Sequence, residues 1–301
     1  QRQMCIRDRE TEQFSASSGR ASYTETEKGI TVKANGRTFV FSKKDGQLKD
    51  VSVNNRKISF ANGPRFIGAR RADRSLDQFY NHDDEKAKAK DRTYSEFTDA
   101  AVFTKLDVKE EGGNLILTAN YKLGNLDKAQ WTIHPDGMAT LDYTYNFSGV
   151  VDLMGICFDY PEEQVLSKRW LGAGPYRVWQ NRIHGTQYDI WENDYNDPIP
   201  GETFTYPEFK GYFGSVSWMS IRTKEGTISL TNETPDSYIG VYQPRDGRDR
   251  LLYTLPESGI SVLNVIPPVR NKVNSTDLCG PSSQPKWVDG SQTGRLVIRF
   301  E

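Results

Sequence analysis

The sequence predicts an all-β domain, a sandwich or barrel. Short runs of alternating apolar and polar residues recur along the chain, turn dipeptides separate them, and no segment sustains an i, i+3, i+4 apolar stripe over three turns. Many short strands without crossover helices exclude a parallel α/β fold.

The elements follow in order. Residues 30–34 alternate, Asn35-Gly36 gives a type I′ hairpin signal, and residues 38–42 alternate again. Lys44-Asp45-Gly46 turns the chain into 48–53, and Asn54-Asn55 turns it once more. The pattern resumes at 115–123. A further hairpin joins 129–133 to 138–147 through His134-Pro135-Asp136-Gly137. Later strands are expected at 216–222, 227–231, 238–242, 261–265 and 295–300. Residues 83–91 are charged on every face and read as a mobile loop. No repeat of fixed period is visible, so 29–301 reads as one β domain.

Residues 1–28 read as leader and linker. The string Gln3-Met4-Cys5-Ile6-Arg7-Asp8-Arg9 resembles translated sequencing adapter, which implies a reading frame cut upstream and leaves secretion open. Residues 10–28, rich in Ser, Thr and Glu with little to bury, read as disordered linker.

Composition narrows the function classes. The 301 residues are 36% hydrophobic and 12% aromatic, enough to build a core. The formal net charge is -1 with both signs interspersed, so no basic stripe marks nucleic acid or an anionic membrane as partner. The apolar run 150–158 is interrupted by Asp152 and is too short to span a bilayer. Cys5, Cys157 and Cys279 allow one disulfide at most and do not fix the redox compartment.

The candidate site lies in Trp170-Leu171-Gly172-Ala173-Gly174-Pro175-Tyr176-Arg177-Val178-Trp179-Gln180-Asn181-Arg182 and in Tyr206-Pro207-Glu208-Phe209-Lys210-Gly211-Tyr212. Flat aromatic faces suit pyranose C–H groups, and forked donors suit hydroxyls. Tyr176, Arg177, Trp179, Asn181, Arg182, His184, Trp191, Glu208, Lys210 and Tyr212 are therefore the candidate carbohydrate or domain-interface residues. Trp170, Trp179, Trp191, Tyr188 and Tyr195 share a polar stretch with Asp189, Glu192, Asp194 and Asp197, so some of these rings are expected on a wet surface. Glu208 and Lys210 also fit a plain same-face ion pair along a strand. Gly172-Ala173-Gly174-Pro175 reads as a tight bend or a shaped loop, not a phosphate cradle, because Pro175 removes a donor and no helix follows. His82, His134 and His184 lack zinc spacing, and no nucleophile elbow occurs. No metal, cofactor or catalytic residue is assigned.

These segments resemble the C-terminal domain of family 2 glycoside hydrolases, the β-galactosidase-like enzymes. The resemblance runs through residues 41–48, Gly63-Pro64 with Arg70-Arg71-Ala72-Asp73, Gly172-Ala173-Gly174-Pro175 with Arg182, the Tyr206 motif, and Gly280-Pro281-Ser282-Ser283-Gln284. It implies a β supersandwich, galactose mutarotase-like, with two large curved antiparallel sheets. It also implies packing against a catalytic barrel domain of the same parent protein, which carries the carboxylates, in a periplasmic or extracellular setting. The family's substrate-stacking tryptophan loop has no tryptophan here until Trp287. Ala173, Tyr176 and Arg71 replace the family's Arg, His and Trp, which speaks against galactose specificity. Two other functions fit the same fold. One is a free-standing carbohydrate-binding module. The other is a polysaccharide lyase or a mutarotase, the latter with His184 and Glu208 as the best available acid–base pair.

Overall fold

The computed structural model describes residues 19–71, 94–97, 99–195, 211–242, 256–268 and 280–301. Its first strands are β1 (Ser22–Glu25), β2 (Gly29–Ala34), β3 (Arg37–Ser42), β4 (Leu48–Val53), β5 (Arg56–Ile58), β6 (Ala61–Arg71) and β7 (Tyr94–Glu96). There follow β8 (Val102–Glu111), β9 (Asn114–Lys122), β10 (Leu126–Ile133), β11 (Ala139–Val151), β12 (Leu153–Asp159), β13 (Val165–Gly174) and β14 (Gln187–Asp194). The last are β15 (Phe213–Gly214), β16 (Trp218–Thr223), β17 (Gly226–Asn232), β18 (Tyr238–Gly240), β19 (Ile260–Val265) and β20 (Lys286–Phe300).

Among the described residues these form two large antiparallel sheets. The first has 11 strands in the order β1-β2-β3-β4-β6-β12-β19-β18-β15, with β5 on β4 and β7 on β6. The second has 9 strands, β14-β13-β16-β17-β20-β11-β10-β9-β8. The all-β supersandwich expected from the sequence is therefore the observed architecture.

Turn chemistry sets the register. Asn35 and Gly36 both have positive φ (43° and 75°), as do Asn54 and Asn55 (49° and 65°). Type I′ hairpins need that conformation at both central positions, and Asn and Gly reach it most cheaply. In the β10–β11 turn, Asp136 Oδ1 accepts the Met138 N–H at 2.9 Å. Alternation then sends one face inward: Leu115, Leu117, Ala119 and Tyr121 on β9 meet Ala129, Trp131 and Ile133 on β10 in the core. Rings tie the two sheets together. Trp131 meets Phe41 edge-on at 5.9 Å and Phe158 at 6.0 Å, while Phe60 stacks on Phe158 at 4.5 Å and meets Phe300 at 5.2 Å.

The pairing begins earlier than residue 29. Ser22–Glu25, inside the stretch expected as linker, pairs with β2 from Ser22↔Lys33 to Glu25↔Ile30. All four of its side chains are exposed. It is held through backbone bonds, so hydropathy carries no sign of it. Residues 72–93, which include the expected mobile loop, lie outside the described residues.

Candidate functional site

The middle of the first sheet is buried on both faces. Met154, Ile156 and Phe158 of β12 face the main core. Leu153 and Cys157 face the other way, with Ile67 and Ala69 of β6 and Leu263 of β19. The candidate segment covers that second face. Val178 and Tyr212 exchange backbone hydrogen bonds at 2.7 and 2.8 Å, and Trp179 meets Tyr212 edge-on at 5.8 Å. Val178, Trp179 and Tyr212 thus form a lid on the sheet.

This placement corrects part of the sequence reading. Trp170 and Trp179 are 0% and 1% exposed, so neither ring presents a face to solvent. Three of the charges that suggested a wet surface belong to β14, an edge strand whose Asp189, Glu192 and Asp194 point to water while Trp191 is half-buried; Asp197 lies outside the described residues. Nor does Gly172-Ala173-Gly174 bend, since all three end β13 in extended pairing with β14. The glycines provide clearance instead. A Cβ at Gly174 would lie 2.4 Å from the Trp191 ring, and one at Gly172 would lie 3.0 Å from Gly214 O.

Arg177 is buried, with its guanidinium 5.0 Å from the Tyr242 ring centroid. Burial lowers its pKa to about 10, partly offset by Tyr242 and Glu162, so it stays charged at neutral pH. Lys168 reaches the same ring at 5.2 Å and donates to Asp194 O. Tyr176 is half-buried and donates to His184 O at 3.4 Å, whereas Arg182 and His184 are exposed. Trp191 Nε1 donates to Gln187 O at 3.2 Å. Glu208 and Lys210 lie outside the described residues.

Two motifs far apart in sequence meet here. Gln180 Nε2 donates to Ser282 O at 3.0 Å and to Gln284 O at 2.8 Å, and Asn181 Nδ2 donates to Ser283 Oγ at 3.4 Å. The 280–284 loop is therefore pinned against the lid.

Beside the lid opens a cleft of about 580 Å³, which the sequence did not indicate. Ala173, Val178 and Ile183 contribute its apolar wall, and Ser217, Glu233, Asp236, Tyr238, Asn264 and Lys286 its polar groups. These come from separate segments with no local signature, so no spacing rule finds them. Among the described residues no cluster of three or more His, Cys, Asp or Glu is placed to hold a metal ion, and no helix is long and apolar enough to cross a membrane.

The solved structures that this architecture resembles include a galactose 1-epimerase from Lactobacillus acidophilus, at 11% identity and TM-score 0.49, covering 94% of this chain and 99% of that one. A galactose mutarotase-like protein from Lactobacillus casei gives 10% identity and TM-score 0.40, over 93% of this chain and 100% of that one. An aldose epimerase homologue from C. elegans gives 8% and 0.40, over 93% and 99%. At such values no functional residue passes from them to this chain. No curated protein sequence matches it. The family described as beta galactosidase small chain matches residues 33–264. With that match across most of its length, on two sheets of the expected kind, the chain belongs to the β-galactosidase small chain family.

Proposed function

We propose that this chain is the accessory domain of a β-galactosidase-like family 2 glycoside hydrolase, binding carbohydrate and supporting a catalytic barrel that supplies the reacting carboxylates. The family match over residues 33–264 carries this reading. The surface supports it. Ile183 (40% exposed), Tyr188 (39%) and Trp287 (68%) present apolar area to solvent, and the fold gains nothing from leaving it there. Ile183 lines the cleft and Tyr188 bonds to Ser217 on its rim at 2.6 Å, so part of this apolar area borders the cleft, as a surface for a neighbouring domain would.

The test is reconstitution. The chain alone is expected not to hydrolyse nitrophenyl galactosides or to speed galactose mutarotation. Joined to the barrel of its parent protein, it is expected to raise turnover, and Trp287→Ala to lower that gain without changing the melting temperature. Turnover by the chain alone that Glu208→Gln abolishes would overturn the reading.

A further inference from the structure

The 580 Å³ cleft falls within the range of small-molecule sites, about 300–1,000 Å³. Hydrogen bonds hold the turn that carries two of its polar groups, and the amide of a third. Asn232 Nδ2 donates to Ser237 Oγ at 2.8 Å, Asn232 Oδ1 accepts the Thr234 N–H at 3.2 Å, and Ser237 Oγ donates to Thr234 O at 2.8 Å. Thr234 and Ser237 are buried, and Thr234 Oγ1 accepts the Arg295 N–H at 3.1 Å. This local network fixes the β17–β18 turn and leaves Glu233 and Asp236 exposed on the cleft. On β19, Tyr145 Oη donates to Asn264 Oδ1 at 2.6 Å, which orients the amide and keeps its N–H donors available to the cleft. Lys286 adds an ammonium. Among the described residues, the side chains of Glu233, Asp236 and Lys286 have no hydrogen-bond or ion-pair partner.

Two carboxylate acceptors on a fixed turn, an oriented amide and an ammonium beside a small aliphatic wall match the needs of a ligand with many hydroxyls and apolar C–H faces. An anionic ligand would meet two carboxylates against one ammonium. We propose that this cleft is a non-catalytic saccharide-binding site for a neutral pyranoside, with Glu233 and Asp236 accepting its hydroxyls and Asn264 and Lys286 donating to it. The choice of sugars as probes rests on the accessory-domain reading.

Calorimetric titration of the full chain with galactose, lactose and cellobiose tests it, with glucuronic acid as the anionic comparison. Saturable binding of at least one neutral sugar is expected, and glucuronic acid is expected to bind more weakly. Glu233→Gln and Asp236→Asn are each expected to weaken binding about tenfold, the loss of one charge-assisted bond. Asn is chosen at 236 because φ there is +49°, which Asn tolerates. Unchanged melting temperatures would show that the variants are folded. No saturable binding, equal affinity of both variants and the parent chain, or a preference for glucuronic acid would each overturn the site. Barrel support measured by reconstitution stands or falls separately, so failure here is distinguishable from failure of the accessory role.

Discussion

Replacing Trp179 separates a lid buried against the sheet from an aromatic platform in water. The indole is 1% exposed, packs with Val178, Leu153, Leu263 and Ile266, and meets Tyr212 edge-on at 5.8 Å. Truncating a buried aromatic to Ala costs about 3–5 kcal/mol, and the edge-on pair adds about 0.5–1.5 kcal/mol beyond area burial. Trp179→Ala should therefore lose at least about 3 kcal/mol, a large share of a domain's net stability of about 5–15 kcal/mol. Trp179 Nε1 is buried and finds no hydrogen-bond partner among the described residues. Trp179→Phe removes that orphaned donor, a relief of about 1–3 kcal/mol that offsets much of the lost ring volume. It should stay within about 1.5 kcal/mol of the parent chain, close to a conservative apolar swap. Urea unfolding followed by far-UV circular dichroism measures both. If Trp179→Ala fell within about 0.5 kcal/mol of the parent, as ordinary surface substitutions do, the burial argument would be refuted and a solvent-facing ring restored.

Gly155→Ala should be among the most damaging single-methyl additions, costing about 3 kcal/mol or more, or preventing folding, as thermal melting would show. Its Cβ would lie 2.1 Å from Val262 O and 2.7 Å from Leu263 Cα, on a strand held from both sides. His134 is half-buried, with Nε2 3.0 Å from Thr140 Oγ1, and desolvation lowers its pKa. The unfolded chain then binds the proton more tightly. Its stabilising contribution is full above the ordinary imidazole value of about 6.5 and is lost as pH falls from there through the lower folded value; His134→Gln should flatten that part of a stability–pH curve. Burial pushes the Cys157 thiol up to about 11 despite Arg65 nearby. Alkylation at mildly alkaline pH followed by peptide mapping should find Cys157 unmodified in the folded chain and modified in urea.

The sequence exposed those strands that have one wet face. Leu48–Val53, Asn114–Lys122 and Gly226–Asn232 alternate because one sheet face meets the core and the other meets water. Leu153–Asp159 does not, since both of its faces are covered and its burial pattern is continuous up to Asp159. The same absence of alternation hides much of Val165–Gly174, where the sequence suggested a bend. Ser22–Glu25 and Val102–Glu111 fail for the opposite reason, being sheet edges with little to bury. At the site, Trp179 and Tyr212 were picked out together and are packed together, but as part of a lid rather than as a stacking surface, while Arg177 lies over the Tyr242 ring. Glu233, Asp236, Asn264 and Lys286 gave no signal, because long-range β pairing alone brings them to one cleft.

The position of Lys286–Phe300 has a consequence for biogenesis. Among the described strands this one comes after the others in chain order, yet it lies between β17 and β11, matched over thirteen positions to β11 from Ala139↔Ile298 to Val151↔Lys286. While a ribosome is still working upstream of codon 286, the second sheet exists only as two separate ribbons. Leu141 on one and Leu230 on the other flank a seam that nothing yet occupies. Both borders of that seam are open to mispairing with another nascent chain, so yield should depend on how quickly residues 286–300 emerge and insert.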